Sequence, residues 1–130
     1  MGSWVDQPKQ IVAITMFVED LPRAKRFYEE VFGLPVHYED ANSAVFRFGV
    51  TLINLLQVDE AHGLISPADV GTSDAGTRFQ LTIGVDDVDA VCAELARHGV
   101  ELLNGPMDRP WGVRTASFRD PGGHIWEIAH

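Results

Sequence analysis

The chain repeats itself. Residues 18–36 read VEDLPRAKRFYEEVFGLPV, and residues 85–101 read VDDVDAVCAELARHGVE. Each stretch opens with valine, an acidic residue, aspartate and a branched aliphatic, then runs through an amphipathic segment to a glycine. The aspartates, Asp20 and Asp87, lie 67 residues apart, and the glycines, Gly33 and Gly99, lie 66 apart. A repeat of this length means two copies of one supersecondary unit, and that constrains the fold more than any single motif does. Two matching halves can enclose a pocket, so the functional question becomes which side chains line it.

The same elements are expected around each copy. In the first half, QIVAITMFV at 10–18 is rich in β-branched and apolar residues and predicts a buried strand. Asp20 is a suitable helix N-cap, and Pro22 sits in the first turn, where a missing N–H does no harm. Leu21, Ala24, Phe27, Tyr28 and Val31 recur at helical spacing, and Gly33 supplies the stop. Strands are expected near 35–40, 43–48 and 50–57. Residues 58–75, VDEAHGLISPADVGTSDA, break every period and predict a linker, either mobile or functional.

The second half, 76–130, follows the same plan. A strand is expected near 77–84, and Asp87 caps a helix whose apolar face is Val88, Val91, Cys92, Leu95 and Ala96. Strands follow near 100–103, 112–119 and 124–129, with Asp120-Pro121-Gly122-Gly123 as a strong turn. The fold class is therefore α+β: two tandem βαβββ modules (10–57 and 76–130) forming an open, curved sheet with a cleft and with helices outside.

Composition narrows the function classes. At 130 residues the chain reads as one domain, able to bury a core without disulfides. Nineteen acidic against ten basic residues give a net charge of −9, which argues against nucleic acid as a partner. It suits a cationic ligand, or simply a soluble surface. The lone Cys92 fits a reducing cytoplasm and reads as a small core hydrophobe. No stretch is apolar enough to span a membrane, and the opening MGSWVDQPK reads as a short lead-in over 1–9, without signal-peptide features.

These units and words resemble the vicinal oxygen chelate superfamily, which includes glyoxalase I, bleomycin-resistance proteins and extradiol dioxygenases. The pieces that carry the resemblance are VEDLPRAKRFYEEVFGL at 18–34, IGVDDVDAVCAEL, and PWGVRTASFRDPGGHIWEI at 110–128. The resemblance implies paired βαβββ modules, a homodimer, and metal ligands on the first and fourth strands of each module in those members that are metalloenzymes. Carried over, those positions fall on Ala13, seven residues before Asp20, on Asn54, on Gln80, seven before Asp87, and on Glu127. Alanine coordinates nothing, and neutral amides are weak ligands for zinc or nickel. Glu127 alone is a strong ligand. His37, His62, His98, His124 and His130 show no ligand spacing, and the odd offset of His124 and His130 from Glu127 puts them on the opposite face of a strand. No metal and no other cofactor is therefore expected.

Without a metal the cleft remains. Thr15 and Phe17 should lie beside Ala13, Leu52 and Leu56 beside Asn54, Thr82 beside Gln80, and Ile125 beside Glu127. This is a mostly apolar surface with a few polar groups, which is how small-molecule sites are built. Trp111 is expected at the rim, Phe46 and Phe79 in the cleft or the core, and Trp126 in the core. Arg114 is expected to pair with an acid or bind an anionic ligand. Glu127 is expected to accept hydrogen bonds from Gln80 or Asn54, or to act as a general base. Two functions follow: a binding protein that sequesters a small molecule, or a glyoxalase-like lyase or isomerase that uses Glu127 with an unusual metal set or as general base.

Overall fold

The computed structural model describes residues 10–130; the lead-in over 1–9 lies outside the described residues. The first module runs β1 (Ala13–Val18), α1 (Leu21–Glu30), β2 (Val36–Glu39), β3 (Ser43–Phe48) and β4 (Thr51–Gln57). A 3-10 turn (Val58–Glu60) and a short helix, α2 (Ala61–Ile65), follow. The second module runs β5 (Leu81–Gly84), α3 (Val88–Arg97), β6 (Leu102–Asp108), β7 (Arg114–Arg119) and β8 (Ile125–Ala129). The sheets have orders β1-β4-β3-β2 and β5-β8-β7-β6, so each first strand lies parallel to the last strand of its own module. Two four-stranded mixed sheets with helices packed on one side are the α+β repeat the sequence predicts, and neither sheet closes into a barrel.

Local chemistry starts both helices in the same way. Asp20 accepts a hydrogen bond from the Arg23 N–H at 3.1 Å, and Asp87 accepts one from the Ala90 N–H at 3.1 Å. Each bond satisfies one of the amide donors that a helix N-terminus leaves free. Gly33 and Gly99 follow the helices at φ +68° and +73°, a backbone shape that residues with a Cβ rarely adopt.

The two modules share one hydrophobic core. Met16 and Val18 of β1, Ala44 and Phe46 of β3, and Ile53 and Leu55 of β4 are buried with Ala116, Phe118, Trp126 and Ile128 of the second sheet. Helix α1 joins them: it packs on β3 and β4, while Phe27 and Tyr28 reach Phe118 and Trp126. The indole of Trp126 stacks on Phe48 across the module boundary, with ring centroids 5.1 Å apart. A polar knot sits inside this cluster. Buried Asp120 accepts from the Tyr28 hydroxyl at 2.6 Å and from Trp126 Nε1 at 3.4 Å on one oxygen. Its other oxygen takes the amides of Gly122 and His124, both at 3.0 Å, and lies 3.1 Å from His124 Nδ1. A buried carboxylate requires such partners, because an unpaired one would be strongly destabilising. Burial, and then the Asp120 charge, push the Tyr28 phenol well above its usual pKa.

Three elements differ from the sequence expectation. The segment after β4 does not stay irregular: residues 58–65 wind into the 3-10 turn and α2, and Ala61 is fully buried. The polar composition hides three apolar side chains, Ala61, Leu64 and Ile65, behind two acids that suit a helical first turn. Strand β6 continues to Asp108 through Gly105-Pro106, past the expected end near 103. It is the edge strand, so a proline costs it no ladder bond there, and its register shifts on either side. Gly105 lies so close to β7 that a Cβ would come within 2.5 Å of the Thr115 carbonyl oxygen. Finally, β5 begins at Leu81 rather than near 77, with Leu81 opposite Trp126 in the first pair of the β5–β8 ladder.

Candidate functional site

Burying one face of each sheet leaves the other face open, and strand register decides what it carries. On the first sheet Ala13 pairs with Leu52, Thr15 with Asn54 and Phe17 with Leu56. These six residues therefore share the face opposite Met16 and Val18. On the second sheet Thr82 pairs with Glu127, and Glu127 with Ser117. The side chains interact as well. Asn54 Nδ2 donates to Thr15 Oγ1 at 3.4 Å, and the Thr82 hydroxyl donates to Glu127 Oε1 at 2.9 Å. Thr15 and Thr82 are 67 residues apart, the offset of the repeat. Each module thus presents a threonine on its first strand, bonded to a polar side chain on its fourth.

The two pairs differ in what they leave unmet. Asn54 Oδ1 is buried and has no hydrogen-bond partner among the described residues. Whichever way the amide is turned, Thr15 satisfies one end of it and the other stays open, a cost that a donor from a bound molecule would remove. Glu127 is half-buried, and its donor is Thr82 rather than Gln80 or Asn54. Gln80 is exposed and precedes β5 instead of lying within it.

A groove of about 420 Å³ runs beside β1. Thr15, Phe17 and Glu19 form one wall, residues 70–79, from the linker toward β5, form another, and Gly122, Gly123 and His124 close the end. The volume falls within the range of small-molecule sites. The linker therefore lines a site as well as joining the modules, and the stretch between it and β5 contributes Arg78 and an exposed Phe79. Leu52, Asn54, Gln80 and Glu127 lie outside this groove, so the residues expected to converge are divided between it and the open sheet faces.

Two expected contributors are placed elsewhere. Arg114 is on the helix side of β7, where it grips Asp89 of α3 through two bonds of 2.9 and 3.0 Å and Asp108 of β6 at 3.1 Å. The guanidinium ties α3 to its sheet, which is the acid pairing given as one of the two expectations for Arg114. These bonds hold the Asp89 carboxyl below its usual pKa, the Arg114 hydrogen bond being the main cause. Trp111 stands at the tip of the β6–β7 hairpin, 70% exposed, with the Arg109 guanidinium 5.8 Å from its ring centre. It borders neither groove.

The donor set does not suit a catalytic metal. Among the described residues no three of histidine, cysteine, aspartate and glutamate gather at one point. His124 is taken by Asp120, and His130 Nδ1 accepts the Val88 N–H at 2.9 Å. Cys92 is half-buried on α3, and burial pushes its thiol pKa up, away from the thiolate a metal needs.

Paired βαβββ modules with open polar faces agree with the comparisons. Residues 10–128 match the model of the glyoxalase/bleomycin resistance protein/dioxygenase superfamily. The chain belongs to that superfamily. It is 31% identical over 123 residues to the uncharacterized protein YraH of Bacillus subtilis, covering 92% of this chain and 96% of that one. The crystal structure of a glyoxalase-related enzyme from Fulvimarina pelagi superposes with a TM-score of 0.81 at 27% identity, over 94% of this chain and 88% of the other. A glyoxalase/bleomycin resistance protein/dioxygenase from Nocardioides superposes with a TM-score of 0.82, over 95% of this chain and 83% of the other; at 20% identity that likeness concerns the fold alone.

Proposed function

We propose that this superfamily member is a small-molecule-binding protein that works without a metal and sequesters an antibiotic or metabolite. The observation that carries this reading is the donor set at the superfamily's ligand positions: Ala13, Asn54, Gln80 and Glu127. One strong ligand among four positions does not hold a divalent ion against water. The same surface suits an organic ligand. Phe17, Leu52 and Leu56 supply apolar area, Thr15 supplies a hydroxyl, and the open end of Asn54 supplies a partner for one ligand group. The acidic chain favours a cationic compound. In the dimer this reading expects, a second copy brings its Thr82–Glu127 face toward the Thr15–Asn54 face.

A second reading rests on Glu127. Its carboxylate is half-buried and takes one side-chain donor, Thr82. As a base it would remove a proton from a carbon next to a carbonyl, giving an enediolate, and so serve a lyase or isomerase.

One experiment separates the two readings. The protein is purified without chelator, offered excess zinc, nickel, manganese or iron, and analysed for bound metal. Melting is then followed across a panel of cationic glycopeptides and smaller hydroxycarbonyl compounds. The expected result is no stoichiometric ion, and a compound that raises the melting temperature without being turned over. A stoichiometric ion lost in Glu127→Ala, or turnover abolished in a folded Glu127→Gln, overturns the binding reading in favour of the enzyme.

A further inference from the structure

A second groove, of about 540 Å³, lies apart from the one beside β1. It runs along α1 where that helix passes the α3–β6 and β7–β8 turns. Arg23 and Arg26 line it from one face of α1, being three residues apart, and Arg119 lines it from the end of β7. Phe27 and Val31 give it an apolar floor, and His98 closes one end.

Three of the ten lysines and arginines of a chain with net charge −9 therefore meet in one concavity. Lys25 pairs with Glu39 at 2.7 Å and Arg114 with Asp89 and Asp108, while among the described residues Arg47, Arg78, Arg97 and Arg109 form no ion pair and do not share a groove with one another. Among the described residues Arg23, Arg26 and Arg119 form no ion pair, although Glu30 and Glu101 line the same groove. Asp120 also lines the groove and keeps its negative charge, but both its oxygens are already engaged by Tyr28, Trp126, His124 and the turn amides, so it takes no bond from the arginines. Among the described residues no carboxylate comes within ion-pair distance of these three guanidinium groups, so their N–H donors are open to an anion seated between them. Guanidinium forks match the oxygens of phosphate, bonding it in pairs. The two free carboxylates accept hydrogen bonds and match hydroxyl groups on the body of the same molecule.

We infer that this groove binds a phosphate monoester of a small, hydroxyl-bearing molecule, with Arg23, Arg26 and Arg119 on the phosphate and Glu30 and Glu101 on the hydroxyls. The site is separate from the open sheet faces, and the inference does not depend on what those faces bind.

The test is titration of the full chain with ribose 5-phosphate, inorganic phosphate and ribose as probes, at low ionic strength, followed by amide chemical shifts. Saturable binding of ribose 5-phosphate is expected, with shifts centred on residues 98–103. Inorganic phosphate should bind about tenfold more weakly, and ribose not measurably, since charge-assisted bonds carry most of the affinity. Arg26→Gln and Arg119→Gln should each weaken ribose 5-phosphate at least tenfold. Glu101→Gln should remove its advantage over inorganic phosphate and leave phosphate binding intact. Absence of saturable binding, affinity unchanged in both arginine variants, or shifts confined to β1 and the linker would each overturn the inference.

Discussion

The two modules have the same wiring and different burdens. Both have a ten-residue helix started by an aspartate cap, and both pair the first strand with the fourth. Yet α1 carries Phe27 and Tyr28 into the aromatic cluster of both sheets, while α3 buries Val88 and Leu95 over its own sheet and is tied down by Arg114. The open faces diverge too, with Thr–Asn on one sheet and Thr–Glu on the other. Duplication therefore preserved backbone connectivity and capping, and left core weight and site chemistry free to part. The matched positions make a natural internal control.

The sharpest way to break the comparison is Trp126→Ala. It removes the ring stacked on Phe48 and should cost roughly 3–5 kcal/mol, as large core aromatics do. Urea unfolding should remain a single transition if the modules share one core; two separated transitions would show that they stand independently.

Next comes Tyr28→Phe, which strips buried Asp120 of its shortest bond, at 2.6 Å, and should cost about 1.5–3 kcal/mol. Its pH dependence has a defined sign. The native state holds the phenol proton more tightly than the unfolded chain does. The stability this contributes is complete below the usual tyrosine pKa of about 10, and it is lost as pH rises from there toward the raised native value. Wild-type stability should therefore fall above about pH 10, and the Phe variant should lose part of that fall; equal slopes would contradict the assignment.

The smallest effects should be the most symmetric. Asp20→Ala and Asp87→Ala each remove one cap bond and should each cost about 1 kcal/mol by urea denaturation. A large gap between them would mean that one helix start has a second support.

Most of this architecture was legible in the sequence because it rests on local chemistry. Asp20, Asp87, Gly33 and Gly99 act within a turn of themselves, and the alternation that placed Trp126 in the core and Glu127 on the open face is a property of any strand. What was hidden depends on neighbours distant in the chain. The expected strand near 100–103 falls short of Asp108 because nothing local reveals that β6 is an edge strand pressed against Thr115. Arg114 could not be assigned between ligand and acid because Asp89 reaches it only through the packing of α3. The groove along α1 left a trace in Arg23 and Arg26, but Arg119 and Glu101 join them only in the folded chain. The linker's part in the groove beside β1 had no sequence signal beyond its length.

The single covalent crossing between the halves has an evolutionary reading. Residues 66–79 are almost wholly exposed, while the side-chain contacts that unite the modules come from α1, Asp120 and Trp126. Cutting the chain there severs a tether rather than a structural member. Each fragment carries half of a complementary surface, Tyr28 on one and Asp120 with Trp126 on the other, so recognition between the fragments is already encoded. The chain is in that sense a fused heterodimer, and splitting its gene at this crossing would yield two short peptides with the means to reassemble.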